Sequence, residues 1–160
     1  MKQYTEEVDS LFKELKKATE SEKISDLESS IIEIWQRTED PFLGDVIVLG
    51  VEQLTRENYK DAIATFSHAL MFNKEHAELY NKRAVAYYMR GEYNKALADL
   101  QKVLELEPRH FGALSGLCNI YREIKLEVHT LRTLELLLRI IPNKEGLSAQ
   151  AYTLRQKLGR

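Results

Sequence analysis

The sequence predicts an all-α protein, an α-solenoid built from stacked helix pairs, and three observations carry that prediction. First, a 34-residue period superimposes residues 43–76, 77–110 and 111–144 without a gap, which is the signature of a repeat architecture. Second, large apolar residues recur three and four apart within each unit, the spacing that makes one stripe along a helix. Third, only 3 Pro and 7 Gly occur in 160 residues, so long uninterrupted helices are permitted.

The period is read in columns. Val46, Tyr80 and Leu114 align as large residues early in a first helix. Three positions on stand Leu49, Arg83 and Leu117, followed directly by the small residues Gly50, Ala84 and Cys118. In the second helix Ala62, Ala96 and Thr130 align, then Phe66, Leu100 and Leu134, then Ala69, Val103 and Leu137. The small residues let paired backbones approach, and the large ones fill the space between them. The intra-pair core is therefore assigned to Val46, Leu49, Tyr80 and Leu114. Gly91 marks the turn between paired helices, since glycine accepts the positive φ that ends a helix. Lys74, Pro108 and Pro142 close the three units, the prolines stopping each second helix. One pair cannot bury its stripe alone, whereas stacked neighbours bury a continuous core.

The flanks fit the same scheme with departures. In residues 1–42, Phe12, Leu15, Ile32 and Trp35 take the large positions, while Lys16 and Glu28 stand where small residues belong. This predicts a degenerate helix pair of wider spacing, filled by Trp35 and ended by Asp40-Pro41. In residues 145–160, Leu147, Ala151, Leu154 and Leu158 form one stripe, with Gln150, Arg155 and Lys157 opposite. A terminal helix with a polar outer face is a solubilising cap. The expectation is a single domain, 1–160, of about four helix pairs plus a C-terminal capping helix.

The segment Ala77–Pro108, with Tyr80, Ala84, Ala96, Leu100, Val103 and Pro108 in its columns and Gly91 at its turn, resembles a near-ideal tetratricopeptide repeat. From Ala77 through Leu114 the chain is similar to small tetratricopeptide proteins of α-proteobacteria. The resemblance implies a right-handed superhelix of antiparallel helix pairs and a role in binding protein segments. Some members of that family grip a C-terminal carboxylate of heat-shock chaperones with a Lys/Asn/Lys/Arg clamp. Here the equivalent positions hold Ile47, Val51, Lys82, Gly112 and Gly116, so the clamp is absent. In the same family Arg often occupies the column of Arg83 with its stem packed and its head outward, so Arg83 is assigned a structural role.

Composition narrows the function classes. A net charge of −2 with basic and acidic residues interspersed gives no footprint for nucleic acid or an anionic membrane. There is no run of about 18 apolar residues, so no membrane span is predicted. The N-terminal residues lack an apolar signal core. As written, the chain is expected in the cytoplasm; a periplasmic or secreted protein whose signal peptide had been removed would read the same. The one cysteine, Cys118, excludes an internal disulfide and reads as a small buried residue among Leu114, Leu117 and Ile120.

Chemistry is mostly not found. His76 and His110 lie 34 residues apart at equivalent turns, so the repeat explains their spacing without a metal. His68 and His129 have no partners in a zinc-like pattern. There is no phosphate loop, and Glu105 and Glu107 are repeat-end residues rather than an acid/base pair. No catalytic residue, metal ligand or cofactor is therefore assigned.

The surface available to a partner is the concave side, lined by first helices. It is predicted to carry Ile47, Val51 and Leu54, then Asn81, Val85 and Tyr88, then Ser115, Asn119 and Arg122, with Lys82 and Arg122 the candidates for a charged contact. From Leu43 to Leu54 the helix is apolar almost all round. That pattern has two readings, an open apolar groove or a helix covered by the N-terminal pair or a curled terminus. The functional expectation is a non-catalytic interaction module or scaffold that takes a protein or peptide partner. The alternative is a structural protein that forms homo-oligomers.

Overall fold

The computed structural model describes residues 2–160, with side chains from Thr5 onward. Among the described residues are nine helices and no strand. The three repeats supply α3 (Pro41–Thr55) and α4 (Tyr59–Phe72), α5 (Ala77–Met89) and α6 (Tyr93–Leu106), and α7 (Phe111–Glu123) and α8 (Glu127–Ile140). Before them come α1 (Lys2–Lys17) and α2 (Ser21–Gln36), and after them α9 (Leu147–Leu158). The helices group into two compact units. One is 37–120; the other joins 1–36 to 121–160, the division falling inside α7 after Ile120.

Local chemistry sets the helix ends. Asp40 caps α3 by accepting the Phe42 amide at 3.0 Å, and Pro41 fills the first helical position, where its missing N–H costs nothing. The turn inside each repeat needs one left-handed residue. Gly91 supplies it with φ 72°, and the same column is occupied by Glu57 at 61° and Lys125 at 59°. A non-glycine residue held there costs roughly 1–2 kcal/mol, partly offset by the greater unfolded-state freedom of glycine. Lys125→Gly is therefore expected to stabilise the chain by up to about 1 kcal/mol in urea unfolding. A loss of stability instead would mean that the Lys125 side chain makes contacts worth more than the strain.

In the 37–120 unit the columns of the second helices are buried as the period requires: Ala62 and Ala96, Phe66 and Leu100, Ala69 and Val103. The small residues Gly50 and Ala84 are buried too. A Cβ on Gly50 would lie 2.4 Å from Cε1 of Phe66, and Phe66 is itself fully enclosed, so glycine is what allows α3 to lie on α4. This contact fixes the roll of α3 and corrects two assignments. Gly50, Ile47 and Leu43 share one face at seven- and three-residue spacing, so Ile47 joins a core of Leu43, Phe66, Leu70 and Leu79 with only 8% of its surface exposed. Leu49, one residue from Gly50 and about 100° around the helix, is 48% exposed instead of buried. Val46 and Leu54 are partly buried against the same core.

In the other unit α1 buries Val8, Phe12 and Leu15, Ala18 just after it is buried too, and α2 buries Ile24, Leu27, Ile31 and Ile34. The buried stripe of α2 thus runs through Ile31 and Ile34, one residue before the expected Ile32 and Trp35, which are half-buried. Trp35 packs beside Phe12 with ring centroids 5.9 Å apart. This hairpin is joined to the turn after α8. The Asn143 side-chain amide donates to the Ala18 carbonyl at 2.9 Å, and Lys144 pairs with Glu28. Glu28 therefore stands in a small-residue column because it has a cation to meet. The columns of α8, Thr130, Leu134 and Leu137, are buried. On α9 only Ala151 is fully buried, while Arg155 and Lys157 pair with Glu135 and Glu127.

Candidate partner-binding groove

Within the 37–120 unit, α5 and the first turns of α7 border a groove of about 260 Å³. Its floor is apolar, made by Ala84, Val85, Met89, Leu100 and Ile120, and Asn81, Tyr88 and Asn119 supply polar groups. Asn81, Val85 and Tyr88 share a face of α5 because they follow at four and then three residues. The hollow has a local cause in α7. Gly112 and Gly116 lie one turn apart and both line the groove. A Cβ on Gly116 would sit 3.1 Å from the Leu100 side chain, and one on Gly112 3.7 Å from the Asn81 amide nitrogen. Two side chains are thus missing from one helix face, and in the column of Gly116 the 43–76 and 77–110 repeats carry the larger Val48 and Lys82.

Of the sequence-predicted site residues, the structure brings Asn81, Val85, Tyr88 and Asn119 to this one groove. Ser115 is exposed but outside its lining, and Val51 is exposed on α3. Ile47 belongs to the core and Leu54 packs against it; both lose their place as open groove residues because of the roll of α3 set by Gly50. Lys82 is mostly covered and lies 3.7 Å from Glu78. Arg122 belongs to the other unit, where it donates to the Gln150 side chain. It lines a cleft of about 550 Å³ there with Lys125, Glu127, Gln150 and Lys157.

Two buried polar pairs support α5 and were not anticipated from the sequence. The Arg83 guanidinium donates twice to Asp99 of α6, at 2.8 and 2.7 Å, and once to the Ser67 hydroxyl of α4 at 3.0 Å. It lies 5.7 and 5.8 Å from the ring centroids of Tyr80 and Tyr87. The structural assignment of Arg83 stands, but its head is turned inward rather than outward. The hydrogen bonds with Asp99 raise its pKa above the ordinary arginine value, against the opposing effect of burial.

The second pair joins His110 and Glu78, both enclosed. The His110 Nδ1 accepts the Ala113 amide at 3.0 Å, capping α7, so the ring proton resides on Nε2 and points to the Glu78 carboxylate. Burial pushes the Glu78 pKa up, but the hydrogen bond from His110, with the charge of Lys82, outweighs it and holds the carboxyl below its ordinary value. His76 occupies the turn position equivalent to His110, yet both its ring nitrogens are buried without a partner. For Nε2 the reason is that the counterpart of Glu78 in the preceding repeat is Gly44; for Nδ1, the Leu79 amide donates to the His76 carbonyl instead. Burial accordingly lowers the His76 pKa, with Glu78 partly opposing.

Among the described residues no group of three or more His, Cys, Asp or Glu side chains is placed to hold a metal ion. No helix in the described region is long and apolar enough to cross a membrane. The arrangement offers shape, apolar surface and two side-chain amides.

Comparison with known proteins agrees with this geometry. Residues 77–110 match the sequence model of the tetratricopeptide repeat. A TPR repeat-containing protein of Rhizobium etli is 28% identical over 151 residues, covering 94% of this chain and 74% of the relative. Among solved structures, the first TPR of Spaghetti (RPAP3) bound to the HSP90 peptide SRMEEVD superimposes with a TM-score of 0.67 at 17% identity, covering 74% of this chain and 94% of that one. The Sgt2 TPR domain from Aspergillus fumigatus gives 0.66 at 20% identity, covering 75% and 81%. At these identities the structural likeness carries the fold.

Proposed function

We propose, for a chain that carries a tetratricopeptide repeat within the fold of tetratricopeptide domains, that it is a non-catalytic protein-interaction module or scaffold. Its groove between α5 and α7 receives an extended segment of a partner protein. The observation that carries this reading is the convergence of Asn81, Val85, Tyr88 and Asn119 on one apolar-floored groove hollowed by Gly112 and Gly116. Amide side chains over such a floor suit a peptide: they bond its backbone while an apolar side chain fills the floor. One neighbour of the same fold is bound to a peptide, which is support by analogy. The larger cleft beside α9 is the weaker choice, because Arg122 and Lys157 already bond Gln150 and Glu127.

Val85→Glu tests the proposal. The Val85 side chain is about half exposed, so the variant is expected to fold with stability within about 0.5 kcal/mol of the parent. It should lose at least tenfold in affinity for any segment captured by the parent and then remade as a synthetic peptide. Equal affinity of both forms would move the binding site off this groove; an unfolded variant would place Val85 in the core. A second reading, self-association, draws on the exposed apolar residues of α3. Mass in solution that rises with concentration would support it.

A further inference from the structure

The repeat register singles out a face of α3. In α5 the column Leu79, Arg83 and Ala86 is turned into the protein: Leu79 and Ala86 are fully buried, and Arg83 reaches Ser67 on the preceding hairpin. The same column in α7, Ala113, Leu117 and Ile120, is also buried. In α3 it reads Asp45, Leu49 and Glu52, and all three are exposed. Beside them Phe42, Val48 and Phe72 are 55%, 67% and 68% exposed, with the rings of Phe42 and Phe72 in edge-on contact at 6.2 Å. Exposed apolar side chains grouped in this way mark a contact site.

The charged residues of the face itself are acidic, with Arg37 and Arg56 flanking the helix and Arg56 paired with Glu52. Glu39, Asp40, Asp45 and Glu52 stand on or just before α3, and no Lys or Arg occurs from 38 to 55. Asp40 is occupied as the helix cap, Glu52 pairs only with the exposed Arg56, and Asp45 has no ion pair among the described residues. A second copy joined through the same face would set Asp45 and Glu52 against their own like charges, which is unfavourable in a two-fold contact. We propose that this face of α3 is a second docking surface whose occupant is a basic amphipathic helix of a partner protein, laid along α3 as α4 lies along α5. Its apolar stripe would cover Phe42, Leu49 and Phe72, and its flanking Lys or Arg would meet Asp45 and Glu52. The inference is independent of the groove between α5 and α7.

The test titrates the full chain with a synthetic 18-residue amphipathic Leu/Lys helix, and with a Leu/Glu helix of the same pattern, following backbone amide shifts by NMR. The Leu/Lys helix is expected to shift amides of α3 and the end of α4 and to bind at least tenfold more tightly than the Leu/Glu helix. Asp45→Lys/Glu52→Lys, with an unchanged melting curve, should reverse that preference, and Leu49→Ala should weaken binding several-fold without reversing it. Shifts confined to Asn81, Tyr88 and Asn119, shifts spread over every acidic patch, or full affinity in the charge-reversed variant would each overturn the proposal. So would sedimentation showing a dimer that Leu49→Ala dissociates, because the face would then be occupied by a second copy.

Discussion

Asp99→Ala is expected to destabilise the chain by about 3–5 kcal/mol, because it leaves the Arg83 guanidinium largely buried without its counter-ion. For a protein of this size the melting temperature should fall by roughly 6–20 °C. The magnitude follows from the geometry. Two charge-assisted bonds below 3 Å hold the fork, the Asp99 side chain is enclosed, and Ser67 and two tyrosine rings fill the remaining sides. Removing both charges should cost far less. Arg83→Met/Asp99→Leu, which replaces the pair by apolar side chains, is expected to regain most of the loss, since a buried ion pair adds little over a well-packed apolar one. Thermal and urea unfolding of the three proteins decide the matter. If Asp99→Ala cost less than about 1 kcal/mol, the pair would be behaving as a solvent-screened surface bridge.

That pair also shows which parts of the fold were legible in the sequence. Period analysis sees what is repeated. The columns of small and large residues recur three times, and the structure buries the small row Gly50, Ala84 and Cys118 and the second-helix columns where the period put them, while Leu49 of the first-helix column is exposed. The polar pairs do not recur. Arg83 is flanked in its column by Leu49 and Leu117, and Asp99 by Thr65 and Thr133. The two threonines bond instead to Gln53 and to the His129 carbonyl. Glu78 has Gly44 and Gly112 as counterparts. An interaction made once, between residues 16 or 32 apart, leaves no periodic trace.

The roll of α3 was hidden for a different reason. A helix that is apolar almost all round has no polar face to fix its phase, so Ile47 and Leu49 could be exchanged between core and surface without breaking the pattern. The deciding fact is steric, the contact of Gly50 with Phe66, and it exists only once the two helices are packed. The N-terminal pair was legible as two helices but not in its contacts. Asn143 meets Ala18 and Lys144 meets Glu28 across more than a hundred residues, and no local spacing encodes that. For the groove, the candidates on α5 and α7 were legible from their spacing, and those on α3 were not separable from its core face. What it left unread was the shaping role of Gly112 and Gly116, which sit where packing glycines would also sit.

His110→Ala carries the second large effect. It removes the acceptor for the Ala113 amide at the start of α7 and the partner of Glu78 at once. Lys82, 3.7 Å away, remains the nearest cation to a carboxylate that is almost wholly enclosed. Leaving a buried carboxylate without its hydrogen-bond donor costs about 1.5–3 kcal/mol, and the lost cap adds to it by about 1 kcal/mol. Glu78→Gln in the same background should recover part of the loss, because the neutral amide no longer has to be held as a buried anion; a double-mutant cycle measures the coupling. The pH dependence supplies an independent readout. The folded-state pKa of Glu78 lies below its ordinary value of 4.5, so the folded state releases this proton more readily than the unfolded chain does. The resulting stabilisation is fully present above about pH 4.5 and is lost as the pH falls through the depressed folded value. In His110→Ala the main cause of that depression is gone while the burial that opposes it remains. The part of the acid limb that Glu78 supplies should therefore shrink or invert, so that His110→Ala loses less stability than the parent on acidification below about pH 4.5. An unchanged acid limb with a large loss of stability at neutral pH would assign the effect of His110 to packing and capping alone.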